Sequence, residues 1–165
     1  MTERNAENCI NVGLGKIAIA HAPDVLTSIG VGSCVILCLY HETTHTGGLA
    51  HIMLPYNDGN RAAPEMPAKF VGLAIENLLN EFHKKGIKNP HELIAKIIGG
   101  AQLFIFKQVQ NIGERNVDTV ILELKNRGIR VIASDIGGTS GRSLWFYPDT
   151  GKVVIRSKMS EIKEI

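Results

Sequence analysis

Cys34 and His51 are the side chains with the clearest potential for chemistry in this 165-residue sequence. A nucleophilic thiol needs a base that takes its proton, a group that orients the base, and hydrogen-bond donors for the oxyanion that forms. Cys34 follows Gly32 and Ser33. At such a bend glycine lets a ligand approach the backbone closely, and free N–H groups could form an oxyanion hole or bind substrate. Cys34 is therefore a candidate nucleophile, and His51, seventeen residues later, is the candidate base.

The spacing of Cys34 and His51 can be tested against the geometry of a β-hairpin. Cys34 opens an apolar, β-rich run that ends at Tyr40, and His51 lies in the next apolar segment. A turn centred between Glu42 and Thr43 would set the two residues directly opposite each other, with Cβ atoms about 5 Å apart. A turn centred one residue later would make them diagonal neighbours, whereas a slip of the other parity would put them on opposite faces. The spacing is compatible with a catalytic pair and does not require one.

Structural roles for both residues stay open on the local sequence. A cysteine in a buried strand usually behaves as a small hydrophobic residue, as we expect for Cys38. A single histidine in an apolar strand is more often a hydrogen-bonded core residue than a catalytic base. The local pattern alone therefore does not assign a function to Cys34 and His51.

The composition is that of an average globular protein, with 44% hydrophobic and 21% charged residues. We expect one domain over residues 1–165, in which the polar segments 1–8 and 158–165 are flexible tails. The formal net charge of +2 is too small to indicate a nucleic-acid or anionic-membrane partner.

Cellular context can be inferred from segments that the sequence lacks. No apolar run approaches the roughly 18 residues that span a bilayer, and the polar N-terminus does not resemble a secretory signal. We therefore expect a soluble, cytoplasmic protein that is not membrane-embedded. The three cysteines favour free thiols over a disulfide framework, and neither they nor the six histidines have the spacing of a zinc site.

The elements that must position Cys34 and His51 are short strands with few helices between them. Apolar segments predict an early strand pair within 10–20 and further strands at 25–29, 34–40, 49–54, 93–98, 129–133, 143–147 and 152–157. Helical spacing predicts one helix from Pro67 to the Lys85-Gly86 stop and a second through 117–127, while 102–106 is ambiguous. This pattern favours an α+β fold of two packed, mixed β-sheets flanked by two or three helices.

Several segments, taken in order, resemble the CheD family of chemoreceptor glutamine deamidases. They are Ser28–Val35, Gly48–Pro55, Lys69–Phe70, Lys96–Ala101, Ile112–Asn116 and Asp135–Arg142. Together they extend the resemblance over roughly residues 10–157. The resemblance implies that Cys34 is the nucleophile and His51 the catalytic histidine.

The third catalytic residue implied by the resemblance is Ser28, where the family usually has threonine. The Ser28 hydroxyl could accept a hydrogen bond from His51 Nδ1–H, although serine has a less restricted rotamer than β-branched threonine. Thr27 is a weaker candidate because adjacent residues of a strand face opposite sides.

The resemblance also implies an activity and partners. It predicts deamidation of specific glutamine side chains on methyl-accepting chemoreceptors, without a cofactor or metal, and binding to a CheC-type phosphatase. It further implies a fold shared distantly with cysteine-dependent toxin deamidases. The alternatives are a non-catalytic CheC-binding module and a thiol esterase or acyltransferase. The glycine-rich bends at 99–100 and 137–141 either line the substrate groove or are tight turns at strand ends.

Overall fold

A computed structural model describes residues 8–57, 59, 63–104, 111–158 and 160–165 of the chain. These residues form two α-helices and ten strands, and the strands make up two five-stranded sheets. The strands are β1 (Cys9–Asn11), β2 (Ile17–His21), β3 (Val25–Val31), β4 (Val35–His41), β5 (Thr46–Ile52), β6 (Ile94–Gly99), β7 (Arg130–Ile136), β8 (Arg142–Tyr147), β9 (Lys152–Ser157) and β10 (Ser160–Glu164). The helices are α1 (Val71–Lys84) and α2 (Ile112–Asn126), and a 3-10 turn spans Pro90–Glu92.

Both sheets are mixed, as the sequence predicted. The first sheet has the order β1-β3-β8-β9-β10, and β1 is parallel to β3. The second sheet has the order β2-β5-β4-β6-β7, and β6 is parallel to β7. The other neighbouring pairs are antiparallel. The predicted α+β class with two sheets is therefore confirmed.

The second sheet is the middle layer of the molecule, because apolar residues cover both of its faces. One face packs on the first sheet through a core that includes Ile36, Cys38 and Leu144. The opposite face packs on α1 and α2 through a second core that includes Leu37 and Val120. β4 lies at the centre of this sheet and is buried along its whole length, which explains why its sequence is apolar without alternation.

The two helices begin at different places from those predicted. α1 begins at Val71 and not at Pro67, because Phe70 is extended and forms a parallel bridge with Leu54. α2 begins earlier than its apolar spacing indicated, because the Asn111 side chain caps the helix by accepting a hydrogen bond from the Glu114 N–H (3.0 Å). The polar first turn of α2 hid this start from an argument based on apolar periodicity.

The early strand pair expected within residues 10–20 is wrong in its pairing. β1 joins the first sheet beside β3, whereas β2 joins the second sheet beside β5. The chain crosses between the layers at Gly13–Lys16, where Gly15 N–H donates to the His51 carbonyl (2.9 Å). Two short strands linked by a glycine-containing turn can belong to one hairpin or to two sheets, and their local pattern is the same.

The expected C-terminal tail is a strand instead. Ser160–Glu164 forms β10 and pairs with β9, and Ile165 exchanges two backbone hydrogen bonds with Val153 (2.9 Å each). Lys96 adds a hydrogen bond to the Ile165 carbonyl (2.9 Å). Polar residues can form an edge strand because backbone groups, not side chains, make the pairing. Residues 1–7, most of the other expected tail, lie outside the described residues, as do 105 and 106.

Candidate active site

Cys34 lies at a bend immediately before β4, and its side chain is half-buried. The three carbonyl groups of this bend are all hydrogen-bonded. The Gly32 carbonyl accepts from Ala101 N–H (2.9 Å) and the Cys34 carbonyl from Gly100 N–H (2.8 Å). The Ser33 carbonyl accepts from the side-chain amide of Asn116 (3.0 Å). The backbone around the thiol is therefore held in one conformation.

The held carbonyls also determine where the N–H groups of the bend point. In a planar trans peptide, the C=O of one residue and the N–H of the next point in opposite directions. Because Ala101 and Asn116 bind the Gly32 and Ser33 carbonyls, the Ser33 and Cys34 N–H groups each point away from those partners. Fixed N–H donors of this kind are what an oxyanion hole requires.

His51 lies on β5 and shares a face of the second sheet with Cys34. The register pairs Ile36 with His51 and Val35 with Ile52. Cys34 and His51 are therefore diagonal neighbours, about 7–8 Å apart at Cα by ordinary sheet geometry. This is the second of the two compatible registers, with the turn centred one residue later. Both side chains face the first sheet, on the side of the core that contains Cys38 and Leu49.

The structure determines the tautomer of His51. Its Nδ1 lies 3.1 Å from the carbonyl oxygen of Val12, and a carbonyl can only accept, so Nδ1 carries the proton in the neutral ring. Nε2 is then an unprotonated acceptor. Within the described part of the chain, Nε2 is buried and has no hydrogen-bond partner. His51 is 4% exposed, and its basic nitrogen is available for a proton.

Ser28 contacts the same carbonyl as His51 and does not bond to the imidazole directly. The Ser28 hydroxyl donates to the Val12 carbonyl (2.7 Å), which thus accepts both Ser28 Oγ–H and His51 Nδ1–H. The hydrogen bond that the sequence suggested, from His51 Nδ1–H to Ser28, is replaced by this shared acceptor. Thr27 points away, because its hydroxyl donates to the Leu144 carbonyl on β8 (2.7 Å).

Burial shifts both titrating groups of the candidate pair toward their neutral forms. Desolvation raises the pKa of the Cys34 thiol. Desolvation also lowers the pKa of His51, and the hydrogen bond to the Val12 carbonyl opposes that shift. Both shifts favour the neutral thiol and the neutral imidazole over the thiolate–imidazolium pair.

Gly32 and Ser33, the other residues expected at the site, directly precede Cys34. A Cβ on Gly32 would meet Leu103 Cδ1 at 2.6 Å, so the Leu103 side chain would have to move if another residue replaced this glycine. Ser33 lines a cleft of about 190 Å³ whose rim carries the exposed side chains of Leu103 and Phe104. The cleft therefore lies beside the bend that carries Cys34.

The two glycine-rich bends have different relations to the site. Residues 99–101 directly hold the bend at residues 32–34, here named the nucleophile bend after its candidate nucleophile Cys34, since Gly100 and Ala101 donate to it. Gly99 has φ 109°, and any Cβ there would collide with the Cys34 carbonyl. Residues 137–141 do not contact the nucleophile bend through these bonds but support residues 99–101, since Gly137 N–H donates to the Gly99 carbonyl (2.9 Å). Both bends thus support the backbone around the thiol.

Sequence reasoning missed two groups of this site. The Val12 carbonyl carries no side-chain signal, because any residue at that position supplies the same oxygen. Asn116 lies in a segment that the sequence singled out, but its amide function depends on α2 packing against the nucleophile bend. The available signal was that Asn116, a polar residue, lies in line with the apolar face of α2, which indicates a buried amide with a specific partner.

The fold and the site together define a two-sheet α+β protein that holds a half-buried thiol beside an imidazole of fixed tautomer. Comparison with known sequences narrows this class. Residues 53–157 match the family described as CheD chemotactic sensory transduction. This match covers more than half of the chain but begins after His51.

Curated relatives extend the similarity over the candidate pair. The chain is 39% identical over 160 residues to the "Probable chemoreceptor glutamine deamidase CheD" of Caldanaerobacter subterraneus subsp. tengcongensis, covering 94% of this chain and 97% of the relative. It is 39% identical over 158 residues to the "Chemoreceptor glutamine deamidase CheD" of Thermotoga maritima, with 93% and 98% covered. A Pyrococcus abyssi relative named in the same way as the first is 42% identical over 151 residues, with 89% and 90% covered. The chain belongs to the CheD family.

No helix among the described residues is long and apolar enough to cross a bilayer. The longest, α2, has 15 residues and carries several charges. Cys9, Cys34 and Cys38 are all free thiols, as the cysteine count predicted.

Proposed function

We propose that this chain is a cysteine-dependent deamidase that converts glutamine side chains of chemoreceptors into glutamate. One observation carries the proposal. His51 has its proton placed on Nδ1 by the Val12 carbonyl, and its buried Nε2, on the face that Cys34 shares, has no hydrogen-bond partner among the described residues. A base held in this form can take the thiol proton when a substrate carboxamide arrives. The names of the curated relatives supply the substrate class.

The first half of the reaction forms an acyl-enzyme. Cys34 Sγ attacks the Cδ carbonyl of the glutamine while its proton moves to His51 Nε2. The carbonyl oxygen becomes an oxyanion that accepts hydrogen bonds from the Ser33 and Cys34 N–H groups. The C–N bond then breaks, the nitrogen takes the proton from His51 Nε2, and ammonia leaves. A thioester between Cys34 and the receptor remains.

The second half regenerates the thiol. A water molecule gives its proton to His51 Nε2 and attacks the thioester carbonyl. The C–S bond breaks, and the Cys34 sulfur takes the proton back from His51. The receptor is left with a glutamate in place of glutamine. The Nδ1 proton of His51 stays on Nδ1 throughout, hydrogen-bonded to the Val12 carbonyl, so Nε2 performs every proton transfer.

The Ser33 cleft supports a partly apolar partner surface. Leu103 and Phe104 are 45% and 70% exposed at its rim. We propose that the cytoplasmic segment of a chemoreceptor that carries the glutamine docks here, and that this chain works in the cytoplasm, where that segment is found. We further propose, on the family resemblance, that a CheC-type phosphatase binds this protein and regulates the reaction.

The test is mass spectrometry of a receptor fragment that contains glutamine at the modification sites, incubated with wild type and two variants. Wild type and Cys38→Ala should each produce the mass increase of about one dalton that marks conversion of Gln to Glu, whereas Cys34→Ala should not. Cys38 is the matched control, because it lies four residues after Cys34 on the same face of the second sheet and is buried in the core.

The outcomes separate the candidate functions. Absence of conversion by wild type would contradict the deamidase and favour a CheC-binding module. Conversion by Cys34→Ala at the wild-type rate would rule out the nucleophile while leaving an enzyme. Hydrolysis of the methyl-esterified fragment in preference to the glutamine form would favour the esterase alternative.

A further inference from the structure

Asn116 is a fully buried polar residue on α2 that reaches the nucleophile bend from the helical layer. It is 0% exposed. Its Nδ2 donates to two backbone carbonyls, those of Ser33 and Met53, both at 3.0 Å. Because both partners can only accept, the NH₂ of the amide must face them, and the orientation of the amide is determined.

The two carbonyls bound by Asn116 belong to the two halves of the site. Ser33 directly precedes the nucleophile Cys34, and Met53 lies just past the end of β5, two residues beyond the base His51. The pairing of β4 with β5 ends at Val35 and Ile52. Beyond that point the two backbones are joined by the Asn116 amide.

The other end of the same amide, Oδ1, finds no partner among the residues that the structure describes. Within the described part of the chain, Asn116 Oδ1 and His51 Nε2 are the buried side-chain atoms without a hydrogen bond. A buried, unsatisfied carbonyl oxygen destabilises the folded state. An apolar side chain of similar size would avoid that cost but would leave the Ser33 and Met53 carbonyls without donors.

We propose that Asn116 is a positioning residue for the deamidation reaction, so this inference rests on the proposed function. By binding the Ser33 carbonyl, it directs the Cys34 N–H of the same peptide toward the oxyanion of the substrate. By binding the Met53 carbonyl with the same nitrogen, it also keeps the nucleophile bend at a constant separation from the strand that carries His51.

The experiment compares Asn116→Leu with wild type in two reactions of the same thiol. Deamidation of the receptor fragment passes through an oxyanion, whereas alkylation of Cys34 by iodoacetamide does not. Removal of one oxyanion donor typically lowers kcat about 100-fold or more. We expect Asn116→Leu, in which the donor is misdirected, to lower kcat about 10- to 100-fold with KM changed less than threefold. The alkylation rate of Cys34 should change less than threefold.

Thr119→Val is the matched control. Thr119 is buried one turn further along α2, and its hydroxyl donates within the helix to the Arg115 carbonyl (2.7 Å). Its replacement removes a buried hydrogen bond from the same helix without touching the nucleophile bend. We expect Thr119→Val to keep the wild-type kcat even if its thermal unfolding midpoint falls as far as that of Asn116→Leu.

Asn116→Ser provides a second variant in case the leucine side chain prevents folding. It retains one shorter donor and should lose kcat less than Asn116→Leu does, again without loss of alkylation. A folded Asn116 variant with wild-type kcat, or one that loses deamidation and alkylation equally, would overturn the positioning role. If wild type does not convert the fragment, the proposed function fails, and the inference fails with it.

Discussion

The two halves of the candidate site are held by different layers of the molecule. The nucleophile bend is anchored through its own backbone carbonyls, by Gly100, Ala101 and Asn116. The base is anchored through its side chain, by a single carbonyl, Val12, which lies just past β1 of the first sheet. The thiol thus has a rigid backbone and a partly exposed side chain, whereas the imidazole is buried and held at one nitrogen.

This difference indicates what each half contributes. A rigid bend provides pre-aligned N–H donors, which are effective only if they need no rearrangement during the reaction. A base needs a fixed tautomer and one available nitrogen, which a single hydrogen bond supplies. The site is therefore complete only when the first sheet, the second sheet and α2 are packed together.

Loss of the base should have the largest effect. His51→Gln removes the group that moves the proton in both steps, and general acid–base catalysis contributes about 10²–10⁴-fold in rate. We expect kcat for the receptor fragment to fall by about that factor. His41→Gln at the far end of β4, where Nδ1 bonds to Thr44 Oγ1 (2.7 Å), should retain activity. A loss of less than tenfold in His51→Gln would contradict the role of base.

Disturbing the backbone support of the bend should have the next largest effect. A Cβ at Gly113 would meet the Ala101 carbonyl oxygen at 2.6 Å, in the segment that donates to the bend. We expect Gly113→Ala to reduce the free energy of unfolding by about 1–3 kcal/mol and kcat by about tenfold.

Gly72→Ala is the matched control for this change. Gly72 lies in α1, and a Cβ there would meet nothing within 4 Å. Alanine should stabilise the helix by roughly 0.5–1 kcal/mol and leave kcat unchanged. Urea unfolding and steady-state kinetics measure both quantities, and equal kcat values for the two variants would contradict the role of Gly113 in supporting the bend.

Removal of the hydroxyl behind the base should have a smaller effect. Ser28→Ala leaves His51 bound to the Val12 carbonyl but removes the second donor to that oxygen. Loss of one buried hydrogen bond costs about 1 kcal/mol, and we expect kcat to fall about three- to tenfold. Thr27→Val removes an equivalent bond to the Leu144 carbonyl and should lose similar stability without losing kcat. A lower kcat for Thr27→Val than for Ser28→Ala would instead assign the third catalytic position to Thr27.

The smallest expected effect is on the reactivity of the resting thiol. Burial raises the pKa of Cys34 and lowers that of His51, so thiolate accumulates only as the pH rises above the ordinary thiol value of about 8.5. In a Cys9→Ser background, alkylation of Cys34 should therefore be slow at pH 7 and should accelerate above pH 8.5. Fast alkylation below pH 7 would instead indicate a preformed thiolate–imidazolium pair.

Much of the fold was predictable because two central strands of the second sheet, β4 and β5, are buried on both faces. Continuous apolar runs identified β4, β5 and β6, and the spacing limited the β4–β5 register to a few values of known parity. β10 was not predictable in this way, since its residues are mostly polar and its pairing with β9 depends on backbone hydrogen bonds and on an ion pair between Lys152 and Glu164 (2.9 Å). That β1 and β2 join different sheets likewise depends on pairing with strands distant in sequence.

The sequence by itself determined which side chains could react. Cys34 and His51 were identified by residue type, by the preceding glycine bend and by the parity of a hairpin, all of which are local properties. Only the tertiary structure decided how they are held. The Val12 carbonyl and the Asn116 amide act on residues that are distant in sequence, and a backbone oxygen or a buried amide acquires its role only from the partner that packing brings to it.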